Sequence, residues 1–356
     1  MKKIVLLLII VAMAASMIIG VSCKGQTVET TAAQTTAAAE TTQAAETTEA
    51  AKELKPLKIG FAVTYGTHPS VSVIIAAAKA EFASDEWKQK GYDVQVVFTD
   101  AGMDDPTKIV NGLEDIYAQK PDGLLIFPAA IGESAVSIIK EDYNKNNIPV
   151  AFCDQMAMKG KIDYLVVVSS DQYGGGKLAG EYTSKIIPKG SKVAAITTLG
   201  YTLGEKINRF DGYLDVTKEA GMTNLPLINA DNATLDVGKK LMEDLLVSDP
   251  DVKGVFTSNM LLTQGNYQAV KDRDLSGDVV LTTFDIDKTT YEMIKSGEIG
   301  GAVVQDLAAW GRESAKYLLN NIISGEKPPQ QDVLITPKIC TTENYQEFAD
   351  DPQTKL

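Results

Sequence analysis

The sequence predicts an α/β protein of doubly wound parallel-sheet lobes, on three observations. Short β-branched runs alternate with amphipathic segments of helical period, the pattern of parallel strands joined by crossover helices. The runs are nearly continuous in apolar residues, as strands covered on both faces require. The folded part, from about Leu54 to Leu356, is roughly 300 residues long, too many for one comfortable core and suited to two.

The first set of predicted strands is LKIGFAV (57–63), DVQVVFT (93–99), DGLLIFP (122–128) and IPVAFCD (148–154), with helical stretches between them such as Asp105 to Gln119. The second set is YLVVVSS (164–170), SKVAAIT (191–197), LPLI (225–228), VKGVFTS (252–258), DVVLTTFD (278–285) and IGGAVVQ (299–305). Glycine or proline marks the joints, as at Lys90-Gly91, Pro188-Lys189-Gly190 and Ser276-Gly277.

The chain begins differently. Lys2 and Lys3 precede an apolar run from Ile4 to Ile19, and Gly20-Val21-Ser22-Cys23 supplies small residues followed by a thiol. That order predicts an export signal over 1–22, cleaved before Cys23, and it resembles a bacterial lipoprotein signal in which the thiol is acylated. Thr27 to Ala51 is almost entirely Thr, Ala, Glu and Gln. With no aromatic residue to seed a core, residues 23–53 are expected to form a disordered tether, whose roughly 31 residues would span about 30 Å.

The formal charge of −13 argues against nucleic acid or an anionic membrane surface as partner. Beyond Cys23 only Cys153 and Cys340 remain, far apart and in apolar strand-like contexts, so two buried free thiols are expected rather than a disulfide.

In open α/β sheets ligands gather beyond the carboxyl ends of strands. Here Asp154-Gln155 follows IPVAFC, Ser258-Asn259 follows VKGVFT, Asp285 follows DVVLTTF and Gln305 follows IGGAVV. Carboxylates and primary amides can each serve two adjacent hydroxyls, so the row suits a neutral polyol. Any single one of them could instead cap the next helix.

The order and spacing of LKIGFAV with His68-Pro69, PDGLLIFPA, IPVAFCD, SSDQYGGGKLAGEY (169–182), NRFDGY (208–213), DPDVKGVFTSN (249–259), TTFD (282–285) and GAVVQD (301–306) resemble the ribose-type periplasmic binding proteins. The resemblance covers nearly all of residues 57–345. It implies a type I fold: two doubly wound lobes, joined by three crossings, that close over a ligand. It implies ligand hydrogen bonds from Asp154, Asn259, Asp285 and Gln305, with His68 on a family asparagine position.

The pocket departs from the family pattern. Gln155 stands where the pentose binders carry an arginine, and Ile207 where a second usually precedes the stretch beginning at Arg209. Ser70 and Val71 replace an aromatic pair, and Ala233 or Thr234 another ring. Tyr65, Tyr201 or Trp310 is left as a stacking platform or as packing. The expected ligand-binding set is therefore His68, Asp154, Gln155, Arg209, Asn259, Asp285, Gln305 and Tyr65, for a sugar or polyol other than ribose or for a repurposed ligand.

No catalytic residue, cofactor or metal is expected. Gly174-Gly175-Gly176-Lys177 runs into Leu178, with the wrong spacing and no Ser or Thr for magnesium, so it is no phosphate loop. Gly176 and Gly180 are read as letting a helix lie close to its sheet. With a single histidine, a two-histidine metal site is excluded.

The expected function is an exported, lipid-anchored monomer that delivers a small hydroxylated ligand to the permease of an ABC importer. The alternative is a ligand sensor that docks on a chemoreceptor or sensor kinase. A DNA-binding repressor of the same fold is rejected, because the residues before Leu57 are read as signal and tether. From the resemblance, one lobe is placed at 57–157 plus 306–330, the other at 158–305 plus 331–345, and a tail at 346–356.

Overall fold

The computed structural model describes residues 53–66, 68–102, 106–128, 131–154, 160–198 and 209–356. The expected signal, Cys23 and tether lie outside the described residues, as do Gln155, Tyr201 and Ile207.

The chain runs β1 (Lys55–Val63), α1 (Pro69–Phe82), α2 (Asp85–Gln89), β2 (Tyr92–Asp100), α3 (Pro106–Ala118), β3 (Gly123–Phe127), α4 (Glu133–Ile138), β4 (Val150–Cys153) and β5 (Val166–Ser170). It continues as α5 (Gln172–Ile186), β6 (Lys192–Thr198), α6 (Arg209–Glu219), β7 (Thr223–Asn224), β8 (Ile228–Ala230), α7 (Leu235–Ser248) and β9 (Val252–Thr257). Then come α8 (Met260–Lys271), β10 (Val280–Phe284), α9 (Lys288–Ser296), β11 (Gly301–Val304), α10 (Leu307–Ser324), β12 (Asp332–Ile335) and β13 (Lys338–Thr341).

Two sheets result. The first has the order β12-β5-β4-β3-β1-β2 and is parallel throughout. The second is β13-β11-β10-β9-β6-β7, with β8 also on β6, and only β13 runs antiparallel. Both lobes share one winding, in which the first strand lies between its successor and the third, so each has a switch point where crossovers diverge to opposite faces.

The apolar runs are buried as their composition demands: β3, β4, β5 and β11 are buried at every residue. Each sheet carries apolar clusters on both faces. Ile59, Phe61 and Leu125 pack towards Trp310 and Leu318, whereas Ile126 and Phe152 pack towards Leu113 and Tyr143. In the second lobe Val255 and Leu281 face Met242 and Ile294, and Phe256 and Phe284 face Tyr213. Full burial of one such side chain contributes about 1.5–3 kcal/mol. Polar N-caps start the helices: Asp171 accepts from Gly174 N at 2.8 Å, Asp287 from Thr290 N at 2.7 Å and Asp306 from Ala309 N at 2.9 Å.

The sheets move two of the three crossings. β5 pairs with β4, so the first lobe continues to about residue 170 rather than 157, and YLVVVSS belongs to the first set of strands. β12 pairs with β5, which carries the return segment in that lobe to 335 rather than 330. β11 pairs in the second sheet and α10 packs on the first, which puts a further crossing at 305–306. β12 and β13 escape the sequence pattern: each has four residues, and β12 is an edge strand whose Leu334 is exposed. LPLI resolves into the later β8.

The tail is structured. Short 3-10 turns at Tyr345–Phe348 and Pro352–Lys355 bury Phe348, Gln353 and Thr354, and Gln353 Nε2 donates to the carbonyl of Gln305 at 2.9 Å. Cys153 and Cys340 are buried free thiols, as the sequence led us to expect. Gly176 and Gly180 approach α6, not the sheet: a Cβ at Gly176 would lie 1.8 Å from the Arg209 carbonyl, and one at Gly180 3.0 Å from that of Tyr213.

Candidate functional site

Each crossing leaves the carboxyl end of a strand and enters the other lobe within a few residues, as from Ser170 to Gln172, Val304 to Leu307 and Ile335 to Lys338. The carboxyl ends of the two sheets therefore meet at the hinge, and there the polar strand-end residues sit.

From the first lobe, the turn after β1 presents Tyr65 and His68. Tyr65 has φ 69°, its N–H donates to the Gly102 carbonyl at 3.3 Å, and His68 N–H donates back to Tyr65 at 2.9 Å. Pro69 then opens α1. The two rings lie 6.0 Å apart. After β4, half-buried Asp154 has φ 128°, and its N–H donates to the Val168 carbonyl at 2.9 Å.

From the second lobe, Asn259, Asp285 and Gln305 end β9, β10 and β11. Asp285 repeats the device of Asp154: φ is 66° and its N–H donates to the neighbouring strand at Val303, 2.9 Å away. Left-handed backbone at a non-glycine residue is costly and gathers at functional sites. Here it occurs at a carboxylate-bearing residue at the carboxyl end of one strand in each sheet. Capping explains Asn259, whose Oδ1 accepts from Leu262 N at 3.2 Å. Asp287 and Asp306 cap the helices that follow Asp285 and Gln305, so those two side chains are not committed to capping.

A buried polar ledge links the second-lobe ends. Gln305 Nε2 donates to Asp285 Oδ1 at 2.5 Å, and Gln172 Nε2 donates to Gln305 Oε1 at 3.0 Å. Arg209 donates through Nε to Gln172 Oε1 at 2.9 Å, again through Nη2, and through Nη1 to the Ser258 carbonyl at 2.8 Å. Its guanidinium carbon lies 3.7 Å from the centre of the Phe284 ring. At 3 % exposure Arg209 lies beneath the ledge, and the structure places it as support rather than at the cleft surface. Trp310 is in the core of the first lobe, so it is packing and not a platform.

Burial pushes the Asp285 carboxyl above its usual range, opposed by the Arg209 charge, the Gln305 hydrogen bond and His68. Burial likewise pushes His68 down, and Asp285 pulls it back up. The two residues come from different lobes, and the charge of each acts on the other. A carboxylate acceptor facing an imidazole, with amides alongside, is suited to a ligand whose groups both donate and accept.

Gln172 and Gln353 were not singled out from the sequence. Gln172 carries a sequence signal, since Asp171-Gln172 follows YLVVVSS as Asp154-Gln155 follows IPVAFC. Gln353, far along a polar tail, had none. Among the described residues no cluster of three or more His, Cys, Asp or Glu could hold a metal, and no helix is long and apolar enough to cross a membrane.

Comparison with known proteins bears on the family and the fold. The family model of the periplasmic binding protein domain matches residues 59–327. The ribose import binding protein of Bacillus subtilis is 29% identical over 245 residues, 68% of this chain and 75% of that protein. The D-apiose import binding protein of Paraburkholderia graminis is 24% identical over 269 residues, 75% of this chain and 83% of that protein. A periplasmic ribose ABC transporter structure from Conexibacter woesei superposes with a TM-score of 0.73 at 20% identity, covering 84% of this chain and 96% of that one. A Bacillus halodurans solute-binding protein with bound myo-inositol gives 0.68 at 23%, covering 85% and 99%.

Proposed function

This chain belongs to the periplasmic binding protein family, and we propose that it captures a sugar or polyol between its lobes and delivers it to an ABC importer. The observation that carries the reading is the pairing of Asp285 with Gln305 where the carboxyl ends of the two sheets meet, with His68 supplied by the other lobe. The relatives add weight, since those named above are import proteins for ribose and apiose. Asp154, Asn259, Asp285, Gln305 and His68 are assigned as ligand contacts, with Gln155 beside Asp154 in sequence and Tyr65 flanking His68. Ligand bonds from both sides would hold the lobes closed, and the closed form is what a permease recognises. Binding proceeds without turnover.

The chain is exported and, through an acylated Cys23 and the Thr/Ala/Glu tether, anchored as a monomer at a membrane face. In a bacterial host Cys23→Ser is expected to move the protein from the membrane to the soluble fraction; unchanged membrane association would refute the anchor.

A thermal-shift screen against D-ribose, D-allose, L-arabinose, myo-inositol, nucleosides and amino acids tests the ligand class. A ligand at about 100 times its Kd adds roughly 2.7 kcal/mol and raises the midpoint by several degrees. Stabilisation by a sugar or polyol is the expected result. A response confined to amino acids would overturn the reading.

A further inference from the structure

We propose that Gln172 is a positioning residue for the site: it holds the Gln305 amide in one orientation, so that Gln305 presents its N–H groups to Asp285 and to ligand. The proposal rests on reading Asp285 and Gln305 as ligand contacts.

The chain of contacts fixes its own polarity. A guanidinium has only donors, so the Gln172 atom facing Arg209 Nε at 2.9 Å is its oxygen. The Gln172 nitrogen then faces Gln305 at 3.0 Å, and what it meets is the Gln305 oxygen. That leaves the Gln305 nitrogen for Asp285 at 2.5 Å. An ionised carboxylate only accepts, so the far end of the chain demands the same orientation that Arg209 imposes at the near end. Flipping either amide would set donor against donor or acceptor against acceptor. Arg209, Gln172 and Gln305 are 3, 6 and 5 % exposed, which leaves little room for water to repair such a mismatch.

Two consequences follow from where these residues sit. Gln172 opens α5 just after the first crossing, and Gln305 is the last residue before the second, so their hydrogen bond ties two hinge segments to the carboxylate that reads the ligand. With its oxygen engaged by Gln172, Gln305 has one N–H left to offer beside the acceptor Asp285. A hydroxyl satisfies both neighbours at once, accepting from Gln305 and donating to Asp285. An ammonium has no lone pair and leaves the Gln305 N–H unmet. The ledge is therefore matched to a ligand group that both accepts and donates, as a hydroxyl does.

The test follows the Asp285 carboxyl by 13C NMR titration in the ligand-free full chain, labelled at aspartate, together with the Kd values for D-ribose and myo-inositol. Gln172→Met deletes both contacts without adding charge. Gln172→Asn keeps an amide one methylene too short to span both partners, and serves if the Met variant folds poorly. In each, Asp285 is expected to titrate higher by about half a unit or more as its donor loses its fixed orientation. Binding of whichever of the two sugars the parent binds is expected to weaken about tenfold. A merely structural Gln172 would lower the thermal midpoint and leave the Asp285 titration where it was, and that result in both variants overturns the proposal. If Asp285 moves but the parent binds neither sugar, the positioning role stands and the assignment of these two ligands fails.

Discussion

Asp285→Asn is expected to cost about a hundredfold or more in sugar affinity while leaving the protein folded. The carboxylate has two acceptor oxygens: Oδ1 takes the Gln305 N–H at 2.5 Å, and the other remains for a ligand hydroxyl. In the amide only one oxygen is left, so either Gln305 or the hydroxyl faces an N–H. A buried polar group left unpaired costs roughly 1–3 kcal/mol, and here a charge-assisted bond is lost as well. Asn is the informative replacement because it tolerates the left-handed backbone at φ 66°, where Ala would add strain of its own. Isothermal titration with a sugar that the parent binds is the measurement; parent-like affinity would remove Asp285 from the site.

The electrostatics give the same claim a pH signature. Burial holds the Asp285 carboxyl above its ordinary range, and the ionised form is the one that accepts from ligand. Affinity should therefore fall as pH drops through that raised value. In Asp285→Asn this limb should be missing. The stability sign is opposite: a group titrating higher in the folded state than in the unfolded one contributes stability at low pH and loses it as pH rises through the folded value. An ionised Asp285 is therefore carried at a cost to the stability of the ligand-free protein, a stability sacrificed at a binding position.

Most of this arrangement was legible because each physical requirement leaves a local mark. Strands covered on both faces must be apolar at every position, and LLIF or AVV cannot read otherwise. Strand ends that face a cleft are polar, which marked Asp154, Asn259, Asp285 and Gln305. What was hidden depends on partners remote in sequence. β5 and β4 are both buried runs, and nothing local says that Val167 pairs with Phe152 and not with a strand of the other sheet. Edge strands of four residues, such as β12, carry too little alternation to announce themselves. Arg209 matched a family stretch, but its burial under Gln172 and over Phe284 comes from the approach of α6 to α5, a distance no periodicity reveals.

That approach is itself testable. Gly176→Ala is expected to destabilise the protein by about 3 kcal/mol or more, because the new Cβ would stand 1.8 Å from the Arg209 carbonyl and 2.6 Å from its carbon, both backbone atoms that cannot swing aside. α6 must move as a body, and it meets the same limit from its own side, since a Cβ at Gly212 would stand 2.2 Å from the Tyr173 carbonyl. At roughly 2–4 °C per kcal/mol for a domain of this size, the thermal midpoint should fall by about 6–12 °C. Gly180→Ala, one turn along the same helix, meets the Tyr213 carbonyl and the Val216 side chain at 3.0 Å and should cost about 1 kcal/mol. The gradient between the two variants matters more than either value, because equal midpoints would mean that the helices slide without resistance. Displacing the first turn of α6 also displaces Arg209, and with it the donors that orient Gln172. Gly176→Ala should accordingly weaken sugar binding even at temperatures where it is fully folded, whereas Gly180→Ala, farther from Arg209, should lose stability and keep its affinity.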